Sequence, residues 1–188
     1  MPFIETIEHQ NAEGRLKEVY DDLISSRGKI AEVHKIQSLN PESIVNHMDL
    51  YMTIMYGKSP LKRVRREMMA VVVSKANDCE YCQTHHADAV NHYWKDEERV
   101  AQLKRDYTQL ELSDQDRALC DYAWEVTKNP GKTNAPSFTN TLKEKGLTDR
   151  EILDGTLVIA YFNFVNRLVL SLGVNLEEDT SGYKYGDQ

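Results

Sequence analysis

Ser59-Pro60-Leu61-Lys62-Arg63-Val64-Arg65-Arg66-Glu67-Met68-Met69-Ala70-Val71-Val72-Val73-Ser74-Lys75-Ala76-Asn77-Asp78 is the segment on which the fold class turns. Met68 to Val73 is an unbroken, β-branched apolar run, a composition that suits a buried strand as well as a buried helix. The flanks separate the two readings: arginines before the run and Lys75-Ala76 after it favour a helix. The segment is therefore expected to be a buried helix opened by Ser59-Pro60. It would carry Val64, Met68, Ala70, Val71 and Val72 toward Asn77-Asp78.

Outward from it the patterns stay helical. Leu16, Val19, Tyr20, Leu23 and Ile24 recur at three- and four-residue steps, and Gly28 follows as a stop. Asn40-Pro41 reads as an N-cap with proline at the first helical position, followed by an Ile44, Met48, Tyr51, Met52, Met55 stripe that ends at Gly57. A helix is expected from about Cys79 to Trp94. Ser113-Asp114 caps another, with Leu119, Tyr122, Ala123 and Val126, closed by Asn129-Pro130-Gly131. Thr148-Asp149-Arg150-Glu151 matches a capping box and opens a long apolar helix through about Asn166. Little alternates with period two, so the fold class is all-α.

Length is consistent with one domain, 1–176, followed by a polar tail, 177–188, that is mobile or an arm on a neighbouring subunit. Sliding the chain by 84 residues lays Arg66-Glu67-Met68-Met69 on Arg150-Glu151-Ile152-Leu153, an echo that suggests a duplicated helical unit. In that register Cys79, Cys82 and His86 fall on Asn163, Asn166 and Leu170, so only the first copy would keep reactive groups.

Composition excludes several function classes. Apolar residues at 40% and charged residues at 28% are ordinary for a globular chain. A net charge of −7 without a basic stripe argues against nucleic acid, and Lys62 to Arg66 reads as a solvated face or local anion patch. No apolar run reaches the roughly 18 to 20 residues of a membrane helix, so no membrane partner is expected. The first residues show neither a basic nor an apolar leader region. Three cysteines, two of them close together, are not a disulfide framework and fit a reducing cytoplasm.

The chemistry concentrates in Glu67 and Cys79-Glu80-Tyr81-Cys82-Gln83-Thr84-His85-His86. Cysteines three apart on a helix share a face and can approach disulfide distance. His86 lies one turn beyond Cys82, and Asn77-Asp78 is a natural N-cap, which puts both thiols in the first turns. There the free N–H groups and the helix dipole stabilise a thiolate, bringing a thiol pKa to ~3.5–7.5 from ~8.5. A thiolate, a base and a second thiol are what peroxide reduction through a sulfenic acid requires. Two alternatives remain open. Cys79, Cys82 and His86 with His85 or Glu67 could hold zinc, although no second CxxC or HxxxH completes a typical site, so no metal is expected. The cysteines could also be inert core residues. Cys120, among Leu119, Tyr122 and Ala123, reads as such a core cysteine, and His34, His47 and His92 as surface or capping residues.

The Glu-(eleven residues)-Cys-x-x-Cys-x-x-x-His pattern over Glu67, Cys79, Cys82 and His86 resembles the alkylhydroperoxidase D family of the carboxymuconolactone decarboxylase superfamily. Cys-x-Tyr-Cys, with the later Asn163 to Leu168 and Leu172 to Val174, resembles its peroxidase-related branch, over about residues 10 to 177. That resemblance implies an all-α fold, a homo-oligomer (trimer or hexamer), no cofactor, and reduction of hydroperoxides with a lipoyl or thioredoxin-like protein as reductant. It further implies that Cys82 attacks, Cys79 resolves, His86 is the base and Glu67 orients or recharges His86. Members of the family typically carry a second histidine where this chain has Tyr81, whose phenol of pKa ~10 cannot relay protons near neutrality. His85 is a candidate to compensate, and Asn166 to hydrogen-bond near the dithiol. The competing functions are a non-catalytic redox sensor or disulfide adaptor, and a lactone decarboxylase-type enzyme.

Overall fold

The structure, a computed structural model, describes residues 1–177, so the expected tail lies outside the described residues apart from Glu177. Nine α-helices and no strand occur among the described residues. They are α1 (Gly14–Arg27), α2 (Glu32–Lys35), α3 (Pro41–Tyr51), α4 (Arg63–Ala76), α5 (Glu80–Trp94), α6 (Glu97–Asp106), α7 (Asp114–Lys128), α8 (Pro136–Glu144) and α9 (Asp149–Leu172). The chain divides into two compact units. One is Met1–Met52 with the chain from Arg167 onward; the other is Thr53–Asn166.

In the first unit, α1 and α3 bury Leu16, Val19, Tyr20, Leu23 and Ile44 together, whereas Ile24 and Met52, which the helical spacing also picks out, are exposed. Gly28 closes α1 in the left-handed region, φ 87°, which costs glycine nothing. His34 and His47 are not the surface or capping residues expected. His47 is 4% exposed, and the two rings meet edge-on with centroids 5.5 Å apart. Burial pulls His47 down to about 4 and His34 to about 3, with His47 and Arg27 adding to the effect on His34. The reason is tertiary: α3 turns the His47 side chain inward, which isolated spacing cannot reveal.

In the second unit α4 is the central element, packed by α5, α6 and α7. Met69 to Val73 are 0% exposed. A helix covered on every side needs no polar stripe, which is why this run lacks helical periodicity and mimics a strand. The helix begins at Arg63 and not at Pro60. Ser59 Oγ accepts from the Leu61 N–H (3.0 Å) and donates to Asp154, so Ser59-Pro60 is a turn ahead of the helix.

The arginine cluster is not a solvated face. Arg63 pairs with Glu67, Arg65 with Asp116 (2.7 Å), and the buried Arg66 donates to the Ile54 and Gly57 carbonyls at 2.8 and 3.1 Å. Arg66 thereby satisfies carbonyls left open where the π-helical turn Met52–Tyr56 ends. Gly57 is required at that turn, because a Cβ there would stand 2.3 Å from the Thr53 carbonyl oxygen.

The capping box ahead of α9 is reciprocal: the Thr148 N–H donates to Glu151 Oε2 (2.9 Å) and the Glu151 N–H to Thr148 Oγ1 (3.2 Å). The helix runs past Asn166 to Leu172. Contrary to the reading by uninterrupted runs, it is long and apolar enough to cross a membrane by length and composition, with a mean hydropathy of 1.4. Its Val158, Ile159 and Phe162 are nevertheless buried inside the protein, and its Asp154, Asn163 and Asn166 are hydrogen-bonded there. The suggested duplication also fails. Residues 60–90 hold the whole of α4, a turn and most of α5, whereas 144–174 is dominated by the single unbroken α9. The echo arises from shared helical patterning.

Candidate active site

The site grows from the turn between α4 and α5. Asn77 ends α4, and Asp78 takes the left-handed conformation (φ 56°), which a short polar side chain tolerates better than most. The chain reverses there, and Cys79, not Asn77 or Asp78, is the N-cap of α5. Its backbone N–H donates to the Ser74 carbonyl at 2.8 Å. Cys82 is then the third residue of α5. Both are free thiols, 0% and 2% exposed.

Cys79 takes a hydrogen bond from the Cys82 side chain. That bond, joined by the Cys82 backbone N–H and opposed by burial, holds the Cys79 thiol below its ordinary range. The backbone approach falls short of a full capping hydrogen bond. Among the described residues no three His, Cys, Asp or Glu side chains converge as a metal would require.

Glu67 and His86 face each other across the α4–α5 hairpin. His86 Nδ1 lies 2.6 Å from Glu67 Oε2, and Glu67 is 0% exposed. An ionised carboxylate can only accept, so the imidazole donates through Nδ1–H and keeps Nε2 for proton exchange. The other carboxylate oxygen takes Arg63 Nε at 2.6 Å. Burial works to raise the Glu67 pKa, but His86 and Arg63 together outweigh it and hold the carboxyl below its usual range. Arg63 is itself steadied by the Tyr56 ring, 3.6 Å beneath its guanidinium. Phe162 of α9 stands edge-on to the His86 ring with centroids 4.4 Å apart.

The auxiliary residues divide. His85 packs edge-on against Tyr81, centroids 4.6 Å apart, so these two are engaged with one another. Asn166, fully buried on α9, accepts from Asn77 Nδ2 (2.9 Å) and donates to Ser74 Oγ (3.2 Å). Asn77 Nδ2 also donates to Asn163 Oδ1 (3.1 Å), and Asn163 Nδ2 donates to Thr127 Oγ1 (3.1 Å). This network grips the turn behind the dithiol from its two ends, Ser74 and Asn77. Cys120 is fully buried, and burial pushes its thiol well above the ordinary range, as befits a core cysteine.

Sequence reasoning missed Arg63, Asn77, Asn163 and Ser74 as supports of the site. Arg63 had a readable signal, its position four residues before Glu67 on one helix. Asn77 and Asn163 had none as partners, because they stand 86 residues apart.

Residues 46–106, which hold Glu67, Cys79, Cys82 and His86, match the Carboxymuconolactone decarboxylase family. No curated protein gives a significant match. Among solved structures, a peroxidase-related protein from Silicibacter sp. TM1040 is 27% identical with a TM-score of 0.79, covering 86% of this chain and 84% of that one. An alkylhydroperoxidase AhpD core protein from Ralstonia eutropha JMP134 is 22% identical with a TM-score of 0.84, covering 95% and 94%. The debrominase Bmp8 has the same fold at 16% identity and a TM-score of 0.76, covering 94% and 92%. The family match falls on the helical hairpin itself, and the likeness of fold extends over nearly all of the chain around it. The chain thus carries a Carboxymuconolactone decarboxylase family segment at residues 46–106 and is similar in fold to alkylhydroperoxidase D-like and peroxidase-related proteins.

Proposed function

We propose that this protein is a thiol-dependent hydroperoxide reductase. The observation that carries the reading is the buried Glu67–His86 pair, 2.6 Å apart, in the same hairpin as two buried free thiols. His86, one turn beyond Cys82, takes the Cys82 proton through Nε2. The Cys82 thiolate attacks the terminal oxygen of ROOH, the O–O bond breaks, and ROH leaves with the proton returned by the imidazolium. Cys79 then attacks the Cys82 sulfenic acid, forming the disulfide and releasing water. A reducing protein with a lipoyl or thioredoxin-like dithiol returns both thiols and is itself oxidised. That requirement suits a reducing compartment such as the cytoplasm.

The hydrogen bond from Cys82 to Cys79 supports a dithiol that shares one proton, so that negative charge is available at either sulfur. Attack is assigned to Cys82 because it is the sulfur nearer in sequence and helical register to His86. The test is peroxide consumption with an organic hydroperoxide and a dithiol reductant, followed by mass spectrometry of trapped sulfenic acid. Cys82→Ser abolishes turnover, and Cys79→Ser accumulates sulfenic acid on Cys82. Sulfenic acid on Cys79 in the Cys82→Ser protein would reverse the assignment. Loss of two thiols per chain without turnover would replace the enzyme by a redox switch.

A further inference from the structure

We propose that Arg63 is a positioning residue whose ion pair keeps Glu67 ionised, so that Glu67 serves His86 as a fixed hydrogen-bond acceptor and not as a proton carrier. The proposal rests on the reading of Glu67 and His86 as the working pair, and it chooses between the two roles, orienting or recharging, that the family resemblance leaves open for Glu67.

The geometry makes the choice. Glu67 has no exposure, and a buried carboxyl left to itself takes up a proton. Its two oxygens are divided: Oε2 meets His86 Nδ1 and Oε1 meets the Arg63 guanidinium through Nε and a terminal nitrogen. With Arg63 on one oxygen and His86 on the other, the carboxylate is held in orientation as well as in charge. The Arg63 guanidinium lies over the Tyr56 ring and its side chain is only 10% exposed. A surface arginine four residues from a glutamate would pair transiently; this one is held between an aromatic face and a buried anion.

A proton carrier must alternate between charged and neutral forms. Neutralising Glu67 here would forfeit the close ion pair with the largely buried Arg63 guanidinium, so the neutral form is penalised. The other charged or titratable groups bearing on the pair are Arg66 of α4, Tyr93 of α5, Tyr56 of the π-helical turn and Asp154 of α9. Arg66 adds positive charge in the same sense and donates to carbonyls, so it cannot replace the contact Arg63 makes.

The test is infrared difference spectroscopy across pH 5 to 8, which reads the C=O stretch of a protonated buried carboxyl. The samples are wild type, Arg63→Met, Arg63→Gln and Arg63→Lys, each checked for native helicity. Wild type and Arg63→Lys show no such band. Arg63→Met and Arg63→Gln show it, and it vanishes when Glu67→Gln is added. The acid limb of the peroxidase pH profile moves upward in the same two variants and returns in Arg63→Lys. If neither charge-removing variant folds, Tyr56→Leu loosens the arginine while retaining it, and the band appears at partial intensity. Folded Arg63→Met without the band overturns the proposal, as does a band already present in wild type. The infrared readout needs no turnover, so an inactive wild type with the band confined to the arginine variants removes the reductase reading and leaves this one standing.

Discussion

Tyr81 is the residue at which this chain departs most clearly from the pattern it resembles. It occupies the place before the second cysteine where a histidine is typical of the family, and it is 6% exposed with its ring against His85. A phenol of ordinary pKa ~10 holds its proton throughout the working range, so it cannot shuttle one between a thiol and an imidazole at neutral pH. Proton transfer therefore runs through His86, held in place by Glu67, in the proposed mechanism. It follows that Tyr81→Phe retains hydroperoxide turnover within about twofold, since the ring is kept and only the hydroxyl is lost. General acid–base groups typically contribute about 100-fold or more, so a decrease of that size in kcat/KM would show the hydroxyl to be a working part of the relay. The placing of Cys79, Cys82 and His86 at the start of one helix was legible from spacing, because three- and four-residue steps stay on one helical face. Glu67 was legible only through the resemblance, since its approach to His86 depends on how α4 and α5 fold back on each other. Arg63 was misread because a run of five basic or apolar residues was weighed as net charge; the useful question was which acid stood one turn away.

The helices were legible where their ends are written in side chains. Ser113 accepts from the Asp116 N–H (3.2 Å), and the Thr148–Glu151 box closes in both directions, so those boundaries could be placed from sequence alone. α8 begins after Ala135, which has no capping side chain, and gave no such signal. Near the site the N-cap moved from Asn77-Asp78 to Cys79, because the reversal is made by left-handed Asp78 and the Asn77 amide is held by Asn163 and Asn166. At the other end of α4 the equivalent constraint is Gly57. A Cβ on it would lie 2.3 Å from the Thr53 carbonyl oxygen, a backbone atom that can yield only by reshaping the π-helical turn and the carbonyls Arg66 binds. Gly57→Ala is thus expected to destabilise the protein by about 1–3 kcal/mol in urea denaturation. Gly155 is the internal control: there the nearest atom, 3.1 Å away, is the terminal methyl of Met69, which can swing aside, so Gly155→Ala costs much less. Equal losses in both variants would contradict the role given to the π-helical turn.

At the scale of the whole molecule, folding stability should depend on pH through groups whose proton affinity folding changes. His47 is such a group. Gln37 Nε2 stands 2.8 Å from His47 Nδ1, and an amide nitrogen only donates, so Nδ1 must be an acceptor and the folded ring neutral. Protonation would set two donors against each other in a buried site whose nearest titratable neighbour is His34, and burial accordingly brings His47 from 6.5 to about 4. The unfolded chain binds a proton near pH 6.5 and the folded chain does not until near pH 4. Stability from this group is complete above pH 6.5 and falls progressively as the pH drops toward 4, by of order 3 kcal/mol in all. Glu67 acts in a lower window, because its depressed pKa is lost as a stabilising effect only below the ordinary carboxylate value of 4.5. The two contributions can therefore be separated. His47→Asn places an acceptor where Nδ1 stood without a group that titrates in this range. Its unfolding free energy, measured by urea titration from pH 7 to pH 4, should change less steeply than that of the wild type, with the slope due to the buried His34 retained. Identical slopes for the two proteins would mean that the acid sensitivity arises elsewhere.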